Sequence, residues 1–300
     1  MRRRNPAQRG RTAFILAFLS PAVLIYGAFV VLPLIQAFGL SMYRWRGVSA
    51  QKRYVGLGNF DKLIHDDVFW KALKNNLWLM VVAGLAIMVL SLVIAHAMQG
   101  SGRIGRSLRS VYLLPQMISL VVVAVLWQFL YHPTIGPVTS ILKAVGLEQL
   151  SKQILGDPSA AMPAIAVSFV WFSVGFYIML FAAGLQSLPK EVVEAAELDG
   201  STGFHRFRSI TWPMLWSIKR IAVIYIVINV MNVFALVYLM TKGGPDRATE
   251  TMLTYLYQQA FDTYEVGYAT ALAVANFIVA MVLAGVVGLA LRRDPQEARR

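Results

Sequence analysis

The sequence predicts an all-α membrane protein with six transmembrane helices and both termini cytoplasmic. Three observations predict it: an apolar composition, six long stretches free of charge, and the placement of the basic residues. Of 300 residues, 57% are apolar or aromatic and only 14% are charged, with a mean hydropathy of +0.59. Soluble domains average roughly half apolar and a quarter charged, so a water-soluble fold could not hide this much apolar surface. The chain has no cysteine, which excludes disulfides, thiolate metal sites and cysteine nucleophiles.

The stretches without Asp, Glu, Lys or Arg are Thr12 to Tyr43, Asn75 to Gly102, Ser110 to Leu142, Pro158 to Pro189, Ile221 to Thr241 and Val266 to Leu291. Each exceeds the ~18 apolar residues that cross a ~30 Å hydrocarbon core as a helix. Around them the spans are expected at about 12–41, 76–99, 110–131, 162–186, 218–241 and 267–291. A basic N-terminus (1–11) precedes the six-span domain (12–291), and a basic tail (292–300) follows it. The first stretch follows arginines, as a secretory signal would. It is too long for a signal h-region and shows no small-residue cleavage site, so it reads as a retained span.

With both termini inside, 17 Lys and Arg fall on the inner side and 11 on the outer. The net charge of +13 is then the excess expected of basic cytoplasmic loops and does not point to nucleic acid. The charge-free stretches carry none of the ionisable groups that ion-coupled carriers place in their bundles, so uphill transport would draw its energy from elsewhere. Neutral polar groups remain at depth: Asn229, Asn232 and Asn276, with Tyr177, Tyr225, Ser168 and Ser173. Tyr225, Asn229 and Asn232 fall near one face of the fifth span. Such groups suit hydrogen bonding to an uncharged polyol or sugar, and equally serve as glue between helices.

Enzyme and cofactor motifs fail their tests. No Walker A sequence occurs, so ATP is not expected on a P-loop of this chain. The four histidines are far apart, and His65 beside Asp66 and Asp67 reads as a solvated loop cluster. Gly100 to Gly105 formally matches G-x-G-x-x-G, but it lies between two spans and follows no strand, so it reads as a flexible inner loop. In the second outer loop, Ile141, Leu142, Val145, Leu150, Ile154 and Leu155 are spaced to give one apolar helical face. That face would suit a docked partner or the membrane surface.

Between the fourth and fifth spans, Pro189 and Gly200 frame a short acidic helix containing Glu194, Ala195, Ala196 and Asp199. Ser201 and Thr202 then offer an N-cap for a second short helix through Phe204, Phe207 and Ile210, expected to break at Pro213.

Glu194-Ala195-Ala196, three residues, Gly200, nine residues, Ile210 and then Trp212-Pro213 resembles the E-A-A loop of binding-protein-dependent ABC importer permeases. Leu usually precedes the proline in that pattern, so Trp212 is a departure. Further segments are similar to the sugar-uptake branch, of maltose and glycerol-3-phosphate permease type: Tyr54 to Phe60, Ala183 to Gln186, Thr241 to Pro245, and Tyr257 to Phe261. The large outer insertion and extra spans of the larger members are missing here.

The resemblance implies half of a two-permease pore. Its companions would be a second permease subunit of a different chain, two cytoplasmic ATPase subunits and an extracytoplasmic solute-binding protein, in a bacterial inner membrane. It implies a carbohydrate substrate, no catalysis and no cofactor on this chain, with ATP and Mg on the ATPase subunits. It assigns coupling to Glu194, Ala195, Ala196, Asp199, Gly200, Ile210 and Pro213. A substrate pathway past Tyr225, Asn229, Asn232 and Asn276 is the accompanying expectation. An importer for another polar solute, or a secondary carrier, stays open at this point.

Overall fold

A computed structural model of the chain describes residues 6–48, 51–98, 111–146, 153–201 and 203–292. The Gly100 to Gly105 loop, Leu150, Thr202 and the end of the basic tail lie outside the described residues. Helices dominate, and the fold divides into two compact units: Met1–His65 with Gln258–Ala275, and Asp66–Tyr257 with Asn276–Arg300.

In the first unit, α1 (Pro6–Tyr26) and α2 (Leu32–Leu40) are joined through a single π turn at Gly27–Val31. Together they supply an apolar helix, Phe14–Leu40, whose side chains are largely exposed. Proline at position 33 cannot donate to the ladder, and the wider π turn just before it accommodates the missing bond. A two-stranded antiparallel ribbon follows, β1 (Tyr43–Arg44) with β2 (Arg53–Tyr54), and then α3 (Gly58–Ile64). Buried Asn59 ties the ribbon to α3, donating to the carbonyls of Ser41 at 2.7 Å and Tyr43 at 3.0 Å. The start of α14 (Val266–Ala290) packs against the same ribbon. At Gly267 a Cβ would come within 1.9 Å of the Tyr43 carbonyl, so only glycine permits this approach.

The second unit is built on α4 (Asp67–Ala97) and α8 (Ala161–Gln186), the most extensively packed helix pair. Asp66 caps α4 by accepting the Val68 amide at 2.9 Å. The helix therefore starts well before residue 76, and Lys71 and Lys74 extend from its first turns. The third predicted span is two helices, α5 (Val111–Met117) and α6 (Leu120–Leu130), bent by 111°. The bend follows Pro115, which removes a ladder donor. On α8, a Cβ at Gly175 would fall 2.1 Å from the Tyr112 carbonyl, so the backbone of α5 lies directly on α8.

Of the segment expected as an amphipathic helix, Thr139 to Leu155, the described residues form α7 (Pro137–Ala144) and a turn after residue 153. Ile141 and Val145 are exposed while Ile154 is buried in a turn, so these described positions do not share one buried face. Asp157 organises that turn, accepting from the Ser159 amide and hydroxyl, both at 2.7 Å.

After α8 come α9 (Lys190–Leu198) and α10 (Gly203–Met214, with a π turn at Phe207–Thr211). The fifth predicted span is α11 (Trp216–Met231), which leaves α10 at a 70° bend. It stops before residue 241, and the chain resumes as α12 (Ala235–Thr241), packed on α6. α13 (Met252–Tyr257) follows. Between α12 and α13, Lys71 donates to the Asp246 carbonyl at 2.6 Å, and Asn75 donates to those of Ala248 at 3.1 Å and Glu250 at 2.8 Å. The segment from Thr241 to Pro245 thus opens a loop anchored on α4. By length and apolarity, four helices could cross a membrane, or up to six if each bent pair is one span.

Candidate functional site: a neutral pocket and a jointed loop

Where α5, α8 and α11 converge, Gln116, Phe172, Ser173, Phe176, Tyr177, Tyr225 and Asn229 line a cavity of about 230 Å³. The bend after Met117 places Gln116 on α8, where its amide donates to the Ser173 carbonyl at 3.1 Å. Phe176 and Tyr225 lie with ring centroids 4.8 Å apart, and Tyr177 sits 6.2 Å from Tyr225. Asn229 donates to the Tyr225 carbonyl at 2.8 Å, a bond within its own helix, and its side chain also meets the Tyr177 hydroxyl. The lining offers amides, hydroxyls and aromatic faces and carries no ionisable carboxylate, ammonium or guanidinium.

Of the expected pathway residues, Tyr225 and Asn229 are therefore brought together, with Tyr177 and Ser173 beside them. Asn232 lies past the last residue of α11 and not on its continuous face, and its amide donates to the Ile228 carbonyl at 2.8 Å. Asn276 is buried on α14 and does not line the cavity. Its Oδ1 has no hydrogen-bond partner among the described residues. Gln116, Phe172 and Phe176 escaped the sequence reading. A glutamine directly after a proline within a charge-free stretch was the available signal for Gln116.

Other amides join the helices. Asn76 is fully buried, donating to the Val230 carbonyl at 2.8 Å and accepting the Met252 amide at 2.9 Å. Gln128 joins α6 to α12 through the Leu239 carbonyl at 2.6 Å. Ser168 donates to the Ala164 carbonyl of its own helix at 2.9 Å and also meets the Tyr131 hydroxyl at the end of α6. The described residues hold no cluster of three or more His, Cys, Asp or Glu suited to a metal.

The loop after α8 folds as the framed helix pair. α9 presents Glu194 and Ala195 to solvent and buries Ala196. Its end is closed by the Asp199 amide on the Ala195 carbonyl at 3.0 Å and the Ser201 amide on the Ala196 carbonyl at 2.9 Å. Gly200 carries the left-handed φ of +73° that this closure uses. Asp199 is exposed and Ile210 half-buried. Proline 213 does not break the second helix: the π turn preceding it absorbs the lost bond, and the break falls at Leu215.

Residues 87–293 match the family described as binding-protein-dependent transport system inner membrane component. The chain is 35% identical over 268 residues to the probable ABC transporter permease protein YurN of Bacillus subtilis, covering 89% of this chain and 91% of that protein. It is 35% identical over 313 residues to the diacetylchitobiose uptake system permease protein NgcF of Streptomyces coelicolor, covering 97% and 89%. A chain of a bacterial ABC transporter involved in import of the acidic polysaccharide alginate shares the fold, with a TM-score of 0.82 at 23% identity, covering 96% of this chain and 98% of that one.

Proposed function

Because the chain belongs to the family of binding-protein-dependent transport system inner membrane components, we propose that it forms one half of a pore that imports an uncharged carbohydrate. It is a multi-pass inner-membrane permease subunit of a sugar ABC importer and not an enzyme, ATP hydrolysis belonging to separate subunits. Six spans would cross with both termini cytoplasmic, the two bent pairs each counting as one. The span domain would cover residues 12–291, between a basic N-terminal segment and a basic tail. A second permease chain completes the pore, two ATPase subunits dock on its cytoplasmic face, and an extracytoplasmic binding protein delivers the solute. ATP and Mg sit on the ATPases and no cofactor on this chain.

The cavity lining carries the substrate reading. Amide and hydroxyl groups replace water around sugar hydroxyls, and the rings of Phe176, Tyr177 and Tyr225 suit the apolar faces of a pyranose. An anionic solute would leave its charge unpaired against this lining, at high desolvation cost. The relative named for diacetylchitobiose uptake fits that chemistry. Coupling runs through α9 and α10: Glu194, Ala195, Ala196, Asp199 and Gly200 form the contact helix and its closure, and Ile210 and Pro213 carry motion toward α11. Closure of the ATPases then rocks the bundle from inward to outward opening.

The test is uptake in a strain lacking this chain, using labelled neutral oligosaccharides and uronate or phosphate-bearing sugars, with affinity purification alongside. The expected result is complementation by a neutral sugar and recovery of an ATPase with the purified chain. Uptake of anionic sugars alone would overturn the substrate reading, and absence of an ATPase would overturn the coupling.

A further inference from the structure

Lys219 counts as an inner-loop charge in the sequence, yet its side chain is 6% exposed. It lies one turn into α11, just past the 70° bend from α10. A bend of that size leaves carbonyls at the end of a helix in need of partners outside the regular ladder. The ammonium meets this need, donating to the Trp212 carbonyl at 2.7 Å. It also stands 3.9 Å from the centroid of the Trp212 ring and 4.9 Å from that of Trp216. The Trp216 contact lies within α11 and steadies the ammonium, while the Trp212 ring and carbonyl lie across the bend, so both of those contacts break if the bend opens.

Both rings are themselves tied down. Trp212 packs on Phe207 at 6.3 Å, and Phe207 on His96 near the end of α4 at 5.3 Å. Trp216 donates from Nε1 to the Leu291 carbonyl, just beyond α14, at 2.9 Å. The bend is thereby fastened to the ends of two long helices. Trp212 is also the residue at which this chain departs from the leucine of the resembling loop pattern. The departure and the buried lysine account for each other: a leucine would offer the ammonium no π face.

We propose that Lys219 is a positioning residue that fixes the angle between α10 and α11 through its ring and carbonyl contacts with Trp212, so that force on the loop helices reaches the pore without slack. The proposal rests on the reading of α9 and α10 as the coupling joint. Lys219→Met keeps the aliphatic stem and removes the cation, Lys219→Arg keeps a cation able to stack and donate, and Trp212→Leu removes one ring.

The experiment reconstitutes the whole importer in liposomes and measures ATP hydrolysed per solute delivered, taking the neutral sugar found by the uptake screen as solute. Lys219→Met and Trp212→Leu should each raise that ratio about fivefold or more, and Lys219→Arg should hold it within about twofold, because cation and stacking persist. Combining Lys219→Met with Trp212→Leu should add little to either alone, since both remove one interaction. An unchanged ratio in Lys219→Met overturns the proposal. Should that variant fail to assemble, Trp212→Leu decides in its place, its ring being 38% exposed and open to replacement. Gly200→Asp is the control for the underlying reading: tight coupling in that variant removes the joint itself. Loss of uptake there beside tight coupling in Lys219→Met removes only the role given to the lysine.

Discussion

Asparagines on these helices do two kinds of work, and their hydrogen bonds separate them. Asn76 bridges α4 to the Val230 carbonyl and the Met252 amide, and both groups are buried with it. Asn229 satisfies its amide on its own helix and faces the cavity. Asn76→Leu should therefore strand two backbone groups at about 1–3 kcal/mol each, lowering the melting temperature of the purified chain and its abundance in the membrane. Asn229→Leu should leave abundance and ATPase recovery intact while sugar uptake falls about tenfold, the scale of one lost ligand hydrogen bond. A melting temperature lowered equally by both substitutions would show that Asn229 is structural. The sequence puts Tyr225 and Asn229 on one helical face, because i and i+4 share a face on any helix, and both line the cavity. It does not separate ligand groups from glue, since that depends on which carbonyl each amide finds in three dimensions.

At the scale of elements, charge-free length finds every apolar helix but not its bends. A run of apolar residues reads the same whether it is straight or folded at a proline, so the 111° turn between α5 and α6 and the early end of α11 emerge only from packing. Glycine marks the first of these places. Gly175 lets the Tyr112 carbonyl approach to where a Cβ would sit, and that contact holds α5 against α8 so that Gln116 reaches Ser173. Gly175→Ala forces backbone apart and not a flexible side chain, a clash of about 1–3 kcal/mol. Displacing α5 opens the cavity wall, so the sugar concentration for half-maximal uptake should rise several-fold while ATPase recovery is unaffected. Unchanged uptake kinetics would mean that α5 does not wall the pathway. The loop shows the opposite balance: Gly200 adopts the left-handed closure that its place after a short acidic helix predicts. Local turn chemistry is written in neighbouring residues, whereas the lysine that stiffens the following bend is not, because the Trp212 ring and carbonyl reach it only once the bend has formed.

For the whole molecule, the open quantity is how many of the apolar helices cross the bilayer, and the absence of cysteine makes it measurable on the native background. Single cysteines at Val48, Ile135, Asp199 and Phe261 would all be exposed, one in each of four connections between apolar segments. If the two bent pairs cross, six spans from an inner N-terminus place Val48, Ile135 and Phe261 outside and Asp199 inside. If the bent pairs re-enter without crossing, four spans place Ile135 inside and Asp199 outside, with Val48 and Phe261 still outside. Ile135 and Asp199 therefore decide, and they must change sides together. A maleimide that cannot cross membranes should label Ile135→Cys in intact spheroplasts and Asp199→Cys only in inside-out vesicles. The same result puts α9 on the ATP side, where an ATPase can reach Glu194. Labelling of Asp199→Cys from the outside would instead leave α9 with no ATPase to contact, and the coupling role of α9 and Lys219 would fall together.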